Sequence, residues 1–167
     1  SMSGGDAERL FAYAGTGSFL GENACRAVAG AIAVVEVNAA MGKIVAAPTA
    51  GASGVLPGTL LQCGRRRGWN DDTLIMGLFA AAAVGMLIAR NASISGAGGG
   101  CQAETGAAAS MAAAALSECA GGTPLVCLHA AAMAIKNVLG LVCDPVAGLV
   151  ECPCIKRNAM GAANALL

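Results

Sequence analysis

Few side chains in this sequence are large enough to hold two helices apart. Alanine and glycine fill its apolar stretches, as in LIMGLFAAAAVGMLIA from Leu74 to Ala89, and only 3% of residues are aromatic. Helices faced with methyl groups and hydrogens can approach backbone to backbone. No alternating strand pattern of any length is present, so the chain reads as all-α, a compact multi-helix domain with glycine-rich loops forming its site. Its 167 residues, 56% hydrophobic and 12% charged, suffice for a single domain with a real core.

Local start and stop signals divide the chain. Glu22 to Met41 is helical in composition and ends at Gly42. Asn70 or Asp71 can cap a helix running to about Arg90. A third helix follows Cys101 and ends near Gly121-Gly122. Thr123-Pro124 supplies an N-cap and a proline at the first helical position of a fourth, which stops at Gly140. Asp144-Pro145 repeats that signal for a short turn, and a last helix is expected after Pro153. Residues 1–5 read as a tag remnant and flexible start.

Charge excludes several classes. Lys plus Arg and Asp plus Glu both number 10, so nothing favours nucleic acid or an anionic membrane surface. Arg65, Arg66 and Arg67 read as a solvated helix end. The run from Leu74 to Ala89 is shorter than the roughly 20 residues a bilayer span needs, which points to a buried central helix. With no secretory signal, the expected compartment is the cytoplasm. Its reducing conditions make the eight cysteines core residues or metal ligands rather than disulfides.

Two loops carry hydroxyls and glycine together. APTAGASGVLPG, from Ala47 to Gly58, sets Thr49, Gly51, Ser53 and Gly54 between two prolines. NASISGAGGGCQAETG, from Asn91 to Gly106, places Ser93, Ser95 and Gly96 ahead of a helix. Glycine lets a backbone approach a ligand, and amides at a helix start favour an anion. Either loop alone could be a tight turn; together they point to a pocket for a small carboxylate.

Cys101, Cys143 and Cys154 stand at the head of a helix, before a turn and before the last helix. Thiolates there are stabilised by free amides and the helix dipole. That makes an iron–sulfur set possible. Spacing alone leaves zinc open, although a structural zinc site wants four ligands, usually in CxxC pairs, and the only histidine is His129. Cys25, Cys63, Cys119 and Cys127 lie in helical stretches and read as core.

EVNAAMGKIVAAPTAGASGVLPG, NASISGAGGGCQAETG and NVLGLVCDPVAGLVECPCIKRNAMGAANA closely resemble the α-chain, or catalytic domain, of the iron–sulfur-dependent L-serine dehydratases. The likeness runs from about Gly4 to the end. It implies an all-helical fold and a [4Fe–4S] cluster on Cys101, Cys143 and Cys154, with Cys152 outside the ligand set. Family members carry more chain at both ends, so the sequence reads as one catalytic domain, a fragment of the α-chain. The resemblance also implies L-serine as substrate, a β-chain or β-domain, and a homo-oligomer.

Three thiolates on four irons leave one iron open to act as a Lewis acid. By resemblance it takes the substrate hydroxyl, and elimination yields pyruvate and ammonia. Thr49, Gly51, Ser53, Gly54, Ser93, Ser95 and Gly96 are the expected substrate contacts. Lys43, His129 and Lys136 are the candidates for the base, beside one supplied by a β-chain. The rival readings are a non-catalytic helical module with a structural zinc–cysteine site, a pyridoxal-phosphate dehydratase and a small membrane bundle.

Overall fold

The computed structural model describes residues 2–167. Seven helices follow in order: α1 Asp6–Ala14, α2 Gly21–Ala39, α3 Val55–Arg67, α4 Asp71–Asn91, α5 Gly96–Cys119, α6 Pro124–Lys136 and α7 Glu151–Leu166. Among the described residues there is no strand, only an isolated bridge between Val146 and Leu149. The all-α expectation holds.

The capping signals act as read. The Asn70 side chain accepts the Thr73 amide at 2.9 Å, and Thr123 accepts that of Val126 with Pro124 in the first turn. Gly68 closes α3 in the left-handed conformation, its N–H donating to the Gly64 carbonyl.

Three boundaries differ from expectation. α5 starts at Gly96, with a kink at Gly100 ahead of Cys101. α6 ends at Lys136. α7 starts at Glu151, before Pro153, because the first-turn amides of a helix have no intrahelical acceptor and a proline there loses nothing. The start of the chain is tied down as well: the Met2 and Ser3 amides and the Ser3 hydroxyl all donate to Glu151 Oε1. Ser1 lies outside the described residues.

The buried central helix is α5, not α4. α5 packs against α3, α4, α6 and α7 and buries most of its alanines. α4 packs on α5 with one face, where Gly77 meets Cys119 and Gly85 meets Met111. Its other face leaves Ile75, Met76, Phe79, Met86 and Leu87 exposed. By length and composition alone α4 could cross a membrane, and only 22% of its apolar window is buried.

A second cluster joins α1, α2 and α7 through Val28, Ile32, Val35, Ile155 and Ala162. Small residues set the crossing of α2 with α3. A methyl group at Gly58 would stand 2.4 Å from the Ala31 amide nitrogen, and one at Gly54 would stand 2.0 Å from the Ala31 carbonyl oxygen. The contact between these helices therefore requires glycine at both positions. The α2–α3, α4–α5 and α6–α7 connections meet at one end of the bundle, around a shared cavity.

Candidate functional site

The site begins at the kink in α5. Gly100 has φ 73° and ψ −175°, a conformation open mainly to glycine. A methyl group there would stand 2.8 Å from the Leu141 carbonyl oxygen and 3.2 Å from the Val142 Cα. That close approach clips the α6–α7 connection to the head of α5. The Gln102 amide donates to the Leu141 carbonyl, and the Gln102 side chain accepts the Gly140 amide, both at 2.8 Å. Cys143 is thereby carried next to Cys101.

The chain then turns tightly through Ala147 and Gly148, both at positive φ, with Val146 and Leu149 exchanging backbone hydrogen bonds. Arg157 on α7 pairs with Asp144 at 2.8 Å and holds this turn to the helix. α7 follows at once. Cys154 faces inward from its first turn, its N–H donating to the Val150 carbonyl, so that amide is not free for a ligand. Cys152, in the same turn, points to a separate surface pocket beside Met160. The two side chains part because both residues are helical and stand two positions apart.

Cys101, Cys143 and Cys154 line one cavity of about 800 Å3 with Asn38, Thr49, Gly51, Ser95, Gly96, Glu104, Asp144 and Glu151. Among the described residues, no lysine, arginine or histidine lines it. Burial raises the Cys101 thiol above its ordinary value, partly offset by Arg157. Burial, then Glu104, Cys101, Cys143 and Asp144, push Cys154 up to about 11. Glu104 and Asp144, which share the cavity, add to the rise at both Cys101 and Cys154.

No three His, Cys, Asp or Glu side chains among the described residues converge on a point that would hold a single ion. The thiols share a space rather than a centre. An all-sulfur donor set around such a space fits an iron–sulfur cluster, a multi-atom group held by thiolates.

The structure separates the sequence candidates. Thr49, Gly51, Ser95 and Gly96 reach the cavity; Ser53, Gly54 and Ser93 do not line it. Ser53 is fully buried and donates to the Ala50 carbonyl, and Gly54 serves the α2–α3 crossing. Ser93 accepts the Ser95 amide, supporting the turn into α5. Lys43 is exposed outside the cavity. His129 and Lys136 line a different cavity, beside Cys63 and the last residues of the chain. Cys25, Cys119 and Cys127 are buried, whereas Cys63 is half-buried.

Two residues escaped sequence reasoning. Glu104 lies one helical turn beyond Cys101, and its Oε1 accepts the Thr49 hydroxyl at 2.6 Å. Asn158, fully buried, donates to the carbonyls of Gly51 at 2.6 Å and Cys154 at 2.8 Å while accepting the Gly54 amide. It ties the hydroxyl-rich loop to the cysteine-bearing helix. Its signal was an asparagine one helical turn after Cys154.

An all-helical bundle with a thiol-lined cavity at one end defines a class that comparison with known proteins makes specific. The sequence matches the family described as serine dehydratase alpha chain over residues 1–167. It is 56% identical over 167 residues to a probable L-serine dehydratase, alpha chain, of Bacillus subtilis (strain 168), covering 99% of this chain and 56% of the relative. It is 49% identical to the L-serine dehydratase, alpha chain, of Peptoniphilus asaccharolyticus, covering 99% and 57%. Against L-serine dehydratase TdcG of Escherichia coli (strain K12) it is 50% identical over 137 residues, 81% of this chain and 30% of that one. The chain belongs to the serine dehydratase alpha-chain family. It spans just over half the length of the first two relatives.

Proposed function

We propose that this chain forms the catalytic part of an L-serine dehydratase, eliminating water from L-serine to give pyruvate and ammonia. The observation that carries the reading is the meeting of Cys101, Cys143 and Cys154 in one cavity with Thr49, Ser95 and the glycines of both hydroxyl-rich loops. Family membership supports the same reaction class.

Cys101, Cys143 and Cys154 would hold a [4Fe–4S] cluster, which supplies a Lewis-acidic iron where the protein leaves a coordination position open. The chain's own residues do the rest. Gly51 and Gly96 admit a small substrate close to the backbone. Ser95, already the N-cap of α5, and Thr49 offer hydroxyls to its polar groups. Ile94, Val150 and Ile155 supply apolar wall that restricts water. Among the described residues the lining provides no basic side chain for the Cα proton, which favours a base from a β-chain or β-domain over Lys43, His129 or Lys136. The working assembly would be a cytoplasmic homo-oligomer including that partner.

The test is anaerobic reconstitution with iron and sulfide, followed by metal analysis and a pyruvate assay. Iron with acid-labile sulfide, and L-serine-dependent pyruvate that disappears in air as iron is lost, is the expected result. Zinc without sulfide would favour the structural zinc–cysteine module.

A further inference from the structure

We infer that the Glu104 carboxylate is the seat of the substrate's ammonium group. The inference rests on the dehydratase reading and names one contact within it.

Glu104 projects from the first full turn after the α5 kink and is half-buried in the cavity wall. Both glycine loops close on it. A methyl group at Gly51 would stand 2.7 Å from Oε1, and one at Gly96 would stand 2.6 Å from Oε2. The carboxylate is thus cradled between two backbones that carry no side chain where they face it. Among the described residues, Thr49 donates the one side-chain hydrogen bond it receives.

An ionised carboxylate accepts at about four lone-pair sites, so acceptor capacity remains. The other two carboxylates in the lining are committed. Asp144 pairs with Arg157, and Glu151 receives the Met2 and Ser3 amides and the Ser3 hydroxyl. Glu104 forms no ion pair among the described residues, and no lysine, arginine or histidine lines the cavity. A half-buried carboxylate without a countercharge is costly, and a cationic ligand offsets that cost.

An α-amino acid has the matching shape. Its ammonium is compact, offers three donors, and sits two bonds from the hydroxyl-bearing carbon. With the hydroxyl directed to the cysteines, the ammonium can reach Glu104, which lines the same cavity one helical turn beyond Cys101. A des-amino analogue lacks that group and gains nothing from the carboxylate.

The experiment compares L-serine with L-glycerate, in which a hydroxyl replaces the ammonium. Binding is measured calorimetrically on the full-length chain with its β-chain and reconstituted cluster, alongside pyruvate formation. Wild-type protein should prefer L-serine by about tenfold or more, the size of a hydrogen bond between charged groups. Glu104→Gln keeps an oxygen for the Thr49 hydroxyl and removes only the charge. It should lose most of that preference, weakening L-serine about tenfold or more and leaving L-glycerate and the iron content nearly unchanged. Equal weakening of both ligands in the variant would make Glu104 a strut between the loops and overturn the inference alone. Equal wild-type affinity for the two ligands would overturn it even if the variant did not fold. A wild-type chain that binds iron and sulfide but never forms pyruvate would overturn the dehydratase reading, and this inference with it.

Discussion

Two cavities share the walls of α5 and α7, and they carry opposite chemistry. The cysteine end, about 800 Å3, holds three thiols and three carboxylates and, among the described residues, no basic side chain in its lining. The other, about 580 Å3, holds Arg67, His129 and Lys136 beside the single thiol of Cys63. Every candidate base that residue chemistry proposed, apart from exposed Lys43, falls in the second. A histidine has a suitable titration range wherever it sits. Only its position relative to the reacting atoms makes it a base, and position is what the two cavities divide.

The largest effect that can break this comparison lies in the thiols. Cys154→Ser should abolish iron and sulfide retention and with them all pyruvate formation. Cys152→Ser and Cys63→Ser should keep all three, because Cys152 faces another pocket and Cys63 lies in the second cavity. Metal analysis of the purified variants settles it, and loss of the cluster in Cys152→Ser with retention in Cys154→Ser would reverse the assignment.

Next is the residue that joins the loop to the helix. Asn158→Ala leaves the buried Gly54 amide and the Gly51 carbonyl without their partner. About 3 kcal/mol of stability should disappear, read as a lower denaturant midpoint at unchanged slope. A change below about 0.5 kcal/mol would mean that water replaces the amide.

Gly100→Ala should cost somewhat less, about 2 kcal/mol, from the left-handed φ together with the 2.8 Å approach to Leu141. Because the displaced segment carries Cys143, the variant should also bind less iron per chain. Stability lost with full iron content would show that the cysteine segment moves independently of the kink.

Smallest of all are the changes in the second cavity. His129→Gln and Lys136→Gln, both at exposed positions, should shift stability by less than about 0.5 kcal/mol and leave turnover within about twofold. A hundredfold loss of turnover in either, with iron intact, would bring the second cavity into the reaction and erase the division between the two cavities.

The legible parts of this fold are those decided within a few residues. Asn70 and Thr123-Pro124 announce helix starts because a cap bonds three positions ahead. The start of α7 was misplaced because Pro153 resembles a first residue yet is equally at home two positions further in. The burial of α5 rather than α4 was hidden by composition: α4 is the more hydrophobic-looking helix, but α5, with alanine on all sides, is the one its neighbours can surround. Cys101, Cys143 and Cys154 could be singled out from their places at helix heads and turns. Glu104 could not, since its partner Thr49 is 55 residues away and a lone glutamate on a helix looks like any solvated one.

That the three thiols come from the head of α5, the α6–α7 connection and the first turn of α7 has a consequence for the order of events in the cell. A chain emerging from the ribosome presents Cys101 while Cys143 and Cys154 are still unmade, and α7, which bears the last, must dock on α2 and α5 before the set is complete. Domains form as units during synthesis, and distant contacts wait on loop closure. If the site holds the proposed cluster, its loading is therefore a late event, and until then the nascent protein displays cysteine without its two partners.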